Sequence, residues 1–257
     1  MPLGEMGAEV PPQGGFVPRS AGPSKPALFL TETVVQIAEQ ANILGRLSPE
    51  DEKEVRAAAQ ALTVSHGAAV FRQGDPHSGI FLIESGTVRS YYTGPSGREI
   101  TLAYWPAGHF VGGPEIFGSG SHVWSGDAVG ECRLLKVGGP SLRRLMERIP
   151  ALALGLVEGL VQKGKCYSAL VQMLGTRSVI ERLAQLLLIL AATDGKSTAA
   201  GVLIDRVMTH EELAQLVGAT RQWITMTLDR FRKQGVIELA GRYIVLLDVP
   251  YLEGIGQ

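Results

Sequence analysis

The segment that most constrains this chain runs from Thr209 to Phe231. Thr209-His210-Glu211-Glu212 has the pattern of a capping box, in which the Thr hydroxyl bonds the Glu212 amide and the Glu212 side chain reaches back. Leu213, Leu216 and Val217 then fall on one face. Ala214 is small where two helices must approach, and Gly218 sits where a tight turn needs positive φ. Thr220 can cap a second helix, with Ile224, Leu228 and Phe231 inward and Gln222, Thr225, Met226 and Asp229 outward. Cap, small residue, glycine, cap and amphipathic helix, in that order, predict a helix-turn-helix. A structural helical hairpin would share the apolar faces. Against it, Gly235 to Leu247 reads as a β-hairpin broken at Ala240-Gly241, which suits a wing.

A helix-turn-helix sets the N-terminal residues of its second helix against base edges in the major groove of double-stranded DNA. Arg221 suits guanine and Gln222 suits adenine; Thr225 and Met226 sit one turn deeper, where Met can meet a thymine methyl. Thr209, His210 and Thr220, at helix N-termini, are candidates to hold phosphates. Bulk charge does not advertise such a partner: 24 Lys/Arg stand against 25 Asp/Glu, a net −1. Locally, Arg221, Arg230, Arg232, Lys233 and Arg242 outnumber Asp229 and Glu238, and a stripe of that kind is enough to grip phosphates.

At 257 residues, two domains are expected. The longest apolar run, Leu186 to Ala192, is far too short to span a bilayer, and no signal peptide is evident, so a cytoplasmic protein without a membrane partner is expected. Two cysteines, Cys132 and Cys166, make neither a disulfide framework nor a four-cysteine metal site. Residues 1–27 read as a disordered leader. The pattern turns helical from Phe29, with a helix start at Pro49-Glu50-Asp51-Glu52. Across 63–138, short Val/Ile/Tyr/Thr runs alternate with breaks at Gln73-Gly74-Asp75, Glu84-Ser85-Gly86, Gly94-Pro95-Ser96-Gly97 and Pro106-Ala107-Gly108, which predicts an antiparallel β-roll. The roll would form a sensor domain over 28–140.

A long helix is expected over 141–175, interrupted near Ile149-Pro150. Leu152, Leu156, Leu160, Tyr167, Leu170 and Leu174 form its stripe, and Leu156, Leu160, Leu170 and Leu174 are expected at a homodimer seam; the alternative is a helix lying on its own roll. Gly175 would stop this helix and Ser178 cap the next. That helix reaches Ala192, followed by a turn at Asp194-Gly195, a loop through Gly201 and a strand Val202-Leu203-Ile204, completing a winged helix-turn-helix domain over 176–257.

A β-roll, a long helix, a hinge and a winged helix-turn-helix together resemble the CRP/FNR family of bacterial transcription regulators, over roughly residues 45–247. The matching motifs are Gln73-Gly74-Asp75, Ser85-Gly86-Thr87-Val88, the cassette Phe110-Val111-Gly112-Gly113-Pro114-Glu115-Ile116-Phe117, and Gly218-Ala219-Thr220-Arg221-Gln222-Trp223-Ile224-Thr225. The resemblance implies an α+β fold whose roll is cyclic-nucleotide-binding-like. It also implies a homodimer on a palindromic operator, contact with RNA polymerase, and an effector in the roll that reorients the recognition helices. Cyclic-AMP-binding members carry a Glu after the first cassette glycine and an Arg-Ser pair. Those positions are Gly113 and Trp124-Ser125, so the charge-assisted bonds to a cyclic phosphate are missing and cyclic AMP is not expected. The family's frequent Glu and Arg base readers appear as Gln222 and Met226, which implies a different operator.

By the same match, Gly112, Gly113, Trp124, Ser125, Tyr167 and Ser168, with Trp105, could line a pocket for a small aromatic or carboxylate effector. The alternative is that Trp124 and Tyr167 fill the space of a constitutive apo regulator. No cofactor is expected, although haem remains open through His66, His77, His109, His122 or Cys166. A lone histidine near a loop is more often a surface residue. An iron–sulfur sensor would need an N-terminal cysteine cluster that the chain lacks. A cupin-type metalloenzyme would need clustered ligands such as His-x-His, which never occurs here. No catalytic or metal site is expected.

Overall fold

The computed structural model describes residues 42–256; the leader over 1–27 and the helical onset at Phe29 lie outside the described residues. A 3-10 turn at Leu44–Arg46 leads to α1, Pro49–Ala57, where the Ser48 hydroxyl accepts from the Asp51 amide and three acidic residues complement the first turn. The roll follows as β1 (Gln60–Val64), β2 (Ala69–Phe71), β3 (Gly79–Thr93), β4 (Glu99–Pro106), β5 (Phe110–Val111) and β6 (Ser125–Gly138). All pair antiparallel in the order β1-β6-β3-β4, with β2 on β6 and β5 on β3.

The expected break at Glu84-Ser85-Gly86 is instead a bulge inside one long strand, for β3 shifts register on either side of Ser85. Gly86 sits at φ 87°, and a Cβ there would come 2.5 Å from the Glu131 carbonyl. A turn residue thus kinks the strand without ending it. Alternation along β4 sends Thr101, Ala103 and Trp105 into the roll and Leu102 and Tyr104 the other way. The second pair packs on the C-terminal core, so β4 serves two bodies.

Next come α2 (Gly139–Arg148) and, after Ile149, the 27-residue α3 (Pro150–Thr176), with Pro150 in its first turn. Gly175 does not stop α3. The helix ends where Arg177 turns extended, and Ser178 with Glu181 forms a capping box for α4, Val179–Asp194. Where a turn and loop were expected, Gly195–Ser197 forms β7, hydrogen-bonded to β8 (Val202–Ile204). Two helices, α5 (His210–Val217) and α6 (Arg221–Lys233), precede the wing strands β9 (Ile237–Ala240) and β10 (Tyr243–Leu246). The second sheet has the order β7-β8-β10-β9, and α7 (Val249–Gly256) closes the domain on α4.

The seam expected at Leu156, Leu160, Leu170 and Leu174 is corrected by burial within the chain. Leu156 is in the roll's core with Leu160 against it, and Leu170 is in the C-terminal core with Leu174 against it. Leu156 and Leu170 are thus taken up by cores of their own chain, while Leu160 and Leu174 are half-buried against those cores. The outward row is Leu154, Val157, Val161 and Val171, exposed by 64, 53, 49 and 69%. Gly164, Ser168 and Gly175 continue it at alternating steps of three and four. Among the described residues, no helix is long and apolar enough to cross a membrane.

Candidate DNA interface and effector chamber

The helix-turn-helix is built by local bonds. Thr209 Oγ1 accepts from the Glu212 amide at 3.1 Å, and the Glu212 carboxylate accepts from the Thr209 amide at 2.7 Å. Gly218 takes φ 64° and ψ 45°, letting the chain double back, and the Thr220 hydroxyl accepts from the Trp223 amide at 3.2 Å. Ile224, Leu228 and Phe231 are buried together with Leu213, Leu216 and Val217. Arg221, Gln222, Thr225 and Met226 are left exposed on the opposite face.

Two of the expected contacts are more occupied than the sequence suggests. His210 Nδ1 lies 2.8 Å from the Thr225 hydroxyl, which donates to the Arg221 carbonyl at 3.0 Å. With that hydroxyl proton spent, the His210 ring donates from Nδ1, and the pair pins α5 to α6. Thr225 then offers mainly its methyl group outward. The basic stripe also narrows, because Asp229 holds Arg232 at 2.7 Å and Lys233 at 2.8 Å, which lowers its own carboxyl pKa. Arg221, Arg230 and Arg242 are exposed without an ion pair among the described residues.

Sequence reasoning did not foresee that the roll touches this domain. Glu99 on β4 pairs with Arg89 at 2.7 Å and accepts from Gln215 of α5 at 3.1 Å. Beside that contact, Arg98, Glu99, Glu211, Gln215, Thr220 and Arg221 line a groove of about 500 Å³. The partners are more than a hundred residues apart in the chain, so no local pattern could announce them.

In the roll, Gly112 and Gly113 follow β5. His122 Nδ1 lies 2.6 Å from the Gly112 carbonyl, and the His77 ring stacks obliquely on His122 at 4.3 Å with neither nitrogen bonded. Trp124 meets Tyr167 edge-on at 5.5 Å, and Trp105 meets Tyr167 at 6.5 Å. Desolvation pushes the Tyr167 phenol far up. Ser125 is buried and accepts from the Gln73 amide at 3.0 Å, whereas Ser168 is exposed on the outward row of α3. The expected effector residues therefore divide: Trp105, Trp124 and Tyr167 converge, the glycines sit by the two histidines, and Ser168 faces away. His77, His109 and His122 are buried, contrary to the surface expectation; only His66 is exposed among the described histidines.

Lys163 belongs to none of the motifs that mark effector residues in the sequence. Its ammonium lies 3.3 Å from the centre of the Trp105 ring. The only signal for it was the four-residue step to Tyr167, which puts both on one side of α3. Among the described residues no three His, Cys, Asp or Glu side chains converge as a metal site.

An antiparallel roll joined by a long helix to a winged helix-turn-helix has the architecture of a DNA-binding regulator with an effector-binding domain. Residues 61–149 match the cyclic nucleotide-binding domain and residues 181–255 the Crp-like helix-turn-helix domain. The chain is 27% identical over 213 residues to the CRP-like cAMP-activated global transcriptional regulator of Mycobacterium tuberculosis, covering 83% of this chain and 95% of that one. It is 26% identical over 183 residues to the fumarate and nitrate reduction regulatory protein of Salmonella typhi, covering 71% and 73%. Its fold is like that of a CooA mutant from Carboxydothermus hydrogenoformans, with TM-score 0.65, 24% identity, and 79% and 90% of the two chains covered. The chain belongs to the CRP/FNR family, a family of transcription regulators and not of enzymes.

Proposed function

We propose that the protein is a cytoplasmic homodimer that binds a palindromic operator, engages RNA polymerase, and is controlled by a small organic effector other than cyclic AMP. The observation that carries the effector reading is the cassette. Gly113 has no side chain to hold a ribose, Trp124 replaces the phosphate-pairing arginine, and the nearby Arg72 is already tied to Tyr91 and Asp127. Among the described residues of the cassette itself, no unpaired cationic side chain stands where the arginine would meet a cyclic phosphate. The dimer reading rests on the heptad-like row Leu154, Val157, Val161 and Val171, whose exposure on an otherwise packed helix suits a partner helix.

Arg221 and Gln222 are the base readers in this reading, with Met226 and the Thr225 methyl behind them. Thr209, His210 and Thr220, with Arg230 and Arg242, lie toward the phosphates. A second reading, an apo regulator, is favoured by the edge-on contact of Trp124 with Tyr167, which occupies the effector space. Haem is the remaining cofactor candidate, and a Soret band on haem addition would mark it.

Selection from random DNA, followed by light scattering of the complex, tests the whole. The expected result is a two-fold site bound by two chains, with affinity unchanged by cyclic AMP. A single half-site bound by one chain would overturn the dimer reading, and a response to cyclic AMP would overturn the effector reading.

A further inference from the structure

Among the described residues, Lys163 is a buried charge in the roll's interior with no counter-charge beside it. Lys163 lies on the inner side of α3, 6% exposed, with Nζ 3.3 Å from the Trp105 ring centre and 4.7 Å from that of Phe110. Among the described residues it has no carboxylate partner, only these two ring faces. His109, between β4 and β5, packs against the same Trp105 at 5.5 Å and is 3% exposed, with Nε2 unbonded. Desolvation lowers the Lys163 amine to about 7, and the amine helps hold His109 near 4. Ring faces attract a cation but do not replace the hydration an ammonium gives up on burial.

The surroundings of this charge have a direction. Tyr167, one turn along α3, stands edge-on to Trp105 and touches Trp124; Tyr167 and Trp124 are both half-buried. The row thus runs from a buried cation along three aromatic rings, the last two of them half-buried. An ammonium in low dielectric with no counter-ion attracts an anion strongly, and the rings select a flat apolar body for it.

We propose that Lys163, assisted by His109 Nε2, is the anchor for an anionic effector, a small aromatic carboxylate whose ring lies along Trp105, Tyr167 and Trp124. The proposal rests on the effector reading above and supplies, from the long helix, the positive charge that the cassette lacks at Trp124. The titratable groups facing Lys163 are His109 from the roll and Cys166 from its own helix, whose thiol burial pushes up to about 11. His109, held at about 4, and Cys166, pushed up to about 11, are both neutral between about pH 6 and about pH 10, so Lys163 alone sets the protonation change on binding there. Above about 7 the free amine is neutral and must take up a proton to meet a carboxylate. Affinity then falls about tenfold per pH unit above 7 and is flat below it.

The test uses the full chain and benzoate, with benzamide as the uncharged isostere and Lys163→Met as the variant. Tryptophan fluorescence reports binding, and calorimetry in two buffers of different ionisation heat reports proton uptake. The expected result is benzoate binding at about pH 6.5 that weakens about tenfold by about pH 8, with proton uptake at the higher pH. Benzamide, and the Met variant with benzoate, bind at least about tenfold more weakly, in line with a lost charge-assisted contact. No benzoate binding at millimolar concentration, equal binding of benzamide, equal binding by the variant, or no proton uptake would each overturn the proposal. If the Met variant fails to fold, proton uptake by the unaltered chain decides. Benzoate binding through Lys163 that leaves operator affinity unchanged would uphold the anchor and overturn the effector reading; absence of benzoate binding overturns the anchor alone.

Discussion

Replacing Gly218 by Ala tests the joint between the two helices and the long helix beneath them. Gly218 takes φ 64° and ψ 45°, a left-handed conformation that costs an alanine roughly 1–2 kcal/mol. The added Cβ would also lie 3.1 Å from Leu174 Cδ2, so Leu174 must give way, and overpacking of this kind adds on the order of 1 kcal/mol. The sum is roughly 2–3 kcal/mol. Gly235→Ala is the control, because Gly235 has a similar φ of 72° but nothing within 4 Å of its Cβ position. That change costs roughly 1–2 kcal/mol from the backbone alone. Urea unfolding followed by circular dichroism gives both numbers, and operator binding by fluorescence anisotropy shows whether the turn has shifted α6. If Gly218→Ala is no more costly than Gly235→Ala, the packing of the turn on Leu174 contributes nothing. If both stay within about 0.5 kcal/mol of the unaltered chain, the left-handed turn itself is refuted.

Gln222→Ala is expected to relax base preference at one operator position by roughly 1–3 kcal/mol, measured on a panel of single-base variants; an equal loss on every sequence would mark a phosphate contact instead. Val157→Glu is expected to give monomers in size-exclusion light scattering with little change in the melting of the subunit, whereas Leu156→Ala should cost the subunit roughly 2–5 kcal/mol by opening a cavity in the roll's core. A stable dimer of Val157→Glu would put the seam elsewhere. Burial, aided by the Lys163 charge, lowers His109 from 6.5 to about 4, so the unfolded chain takes up a proton below 6.5 that the folded chain refuses. Stability is therefore full above 6.5 and declines as pH falls toward about 4, by roughly 3 kcal/mol from this one group. His109→Gln should flatten that acid limb in urea melts at stepped pH, and an unchanged limb would assign it to other groups.

The DNA-reading end was legible residue by residue because its determinants are local. A capping box, a left-handed glycine and an inward triad at helical spacing lie within 23 residues, from Thr209 to Phe231. The roll's turns were legible for the same reason, except at Gly86, where the glycine's tolerance of positive φ serves a bulge inside β3. A strand and its break share one composition there, and only the partner strand β6 distinguishes them.

What could not be read were choices between two faces. The leucines of α3 and the row Leu154, Val157, Val161 and Val171 are both apolar and both helical in period, and periodicity does not say which meets the roll. Packing chose Leu152, Leu156 and Leu170 for the chain's own cores and left Leu154 and the three valines outside. The same applies to His77, His109, His122 and Lys163, whose polarity argues for solvent until the roll closes over them. The order of elements, the caps and the turns follow from short-range backbone preference, which neighbouring residues carry with them. The buried charge on Lys163, the bond from Gln215 to Glu99 and the free face of α3 exist only once distant segments exclude water from one side of each, and that is a property of the assembled fold.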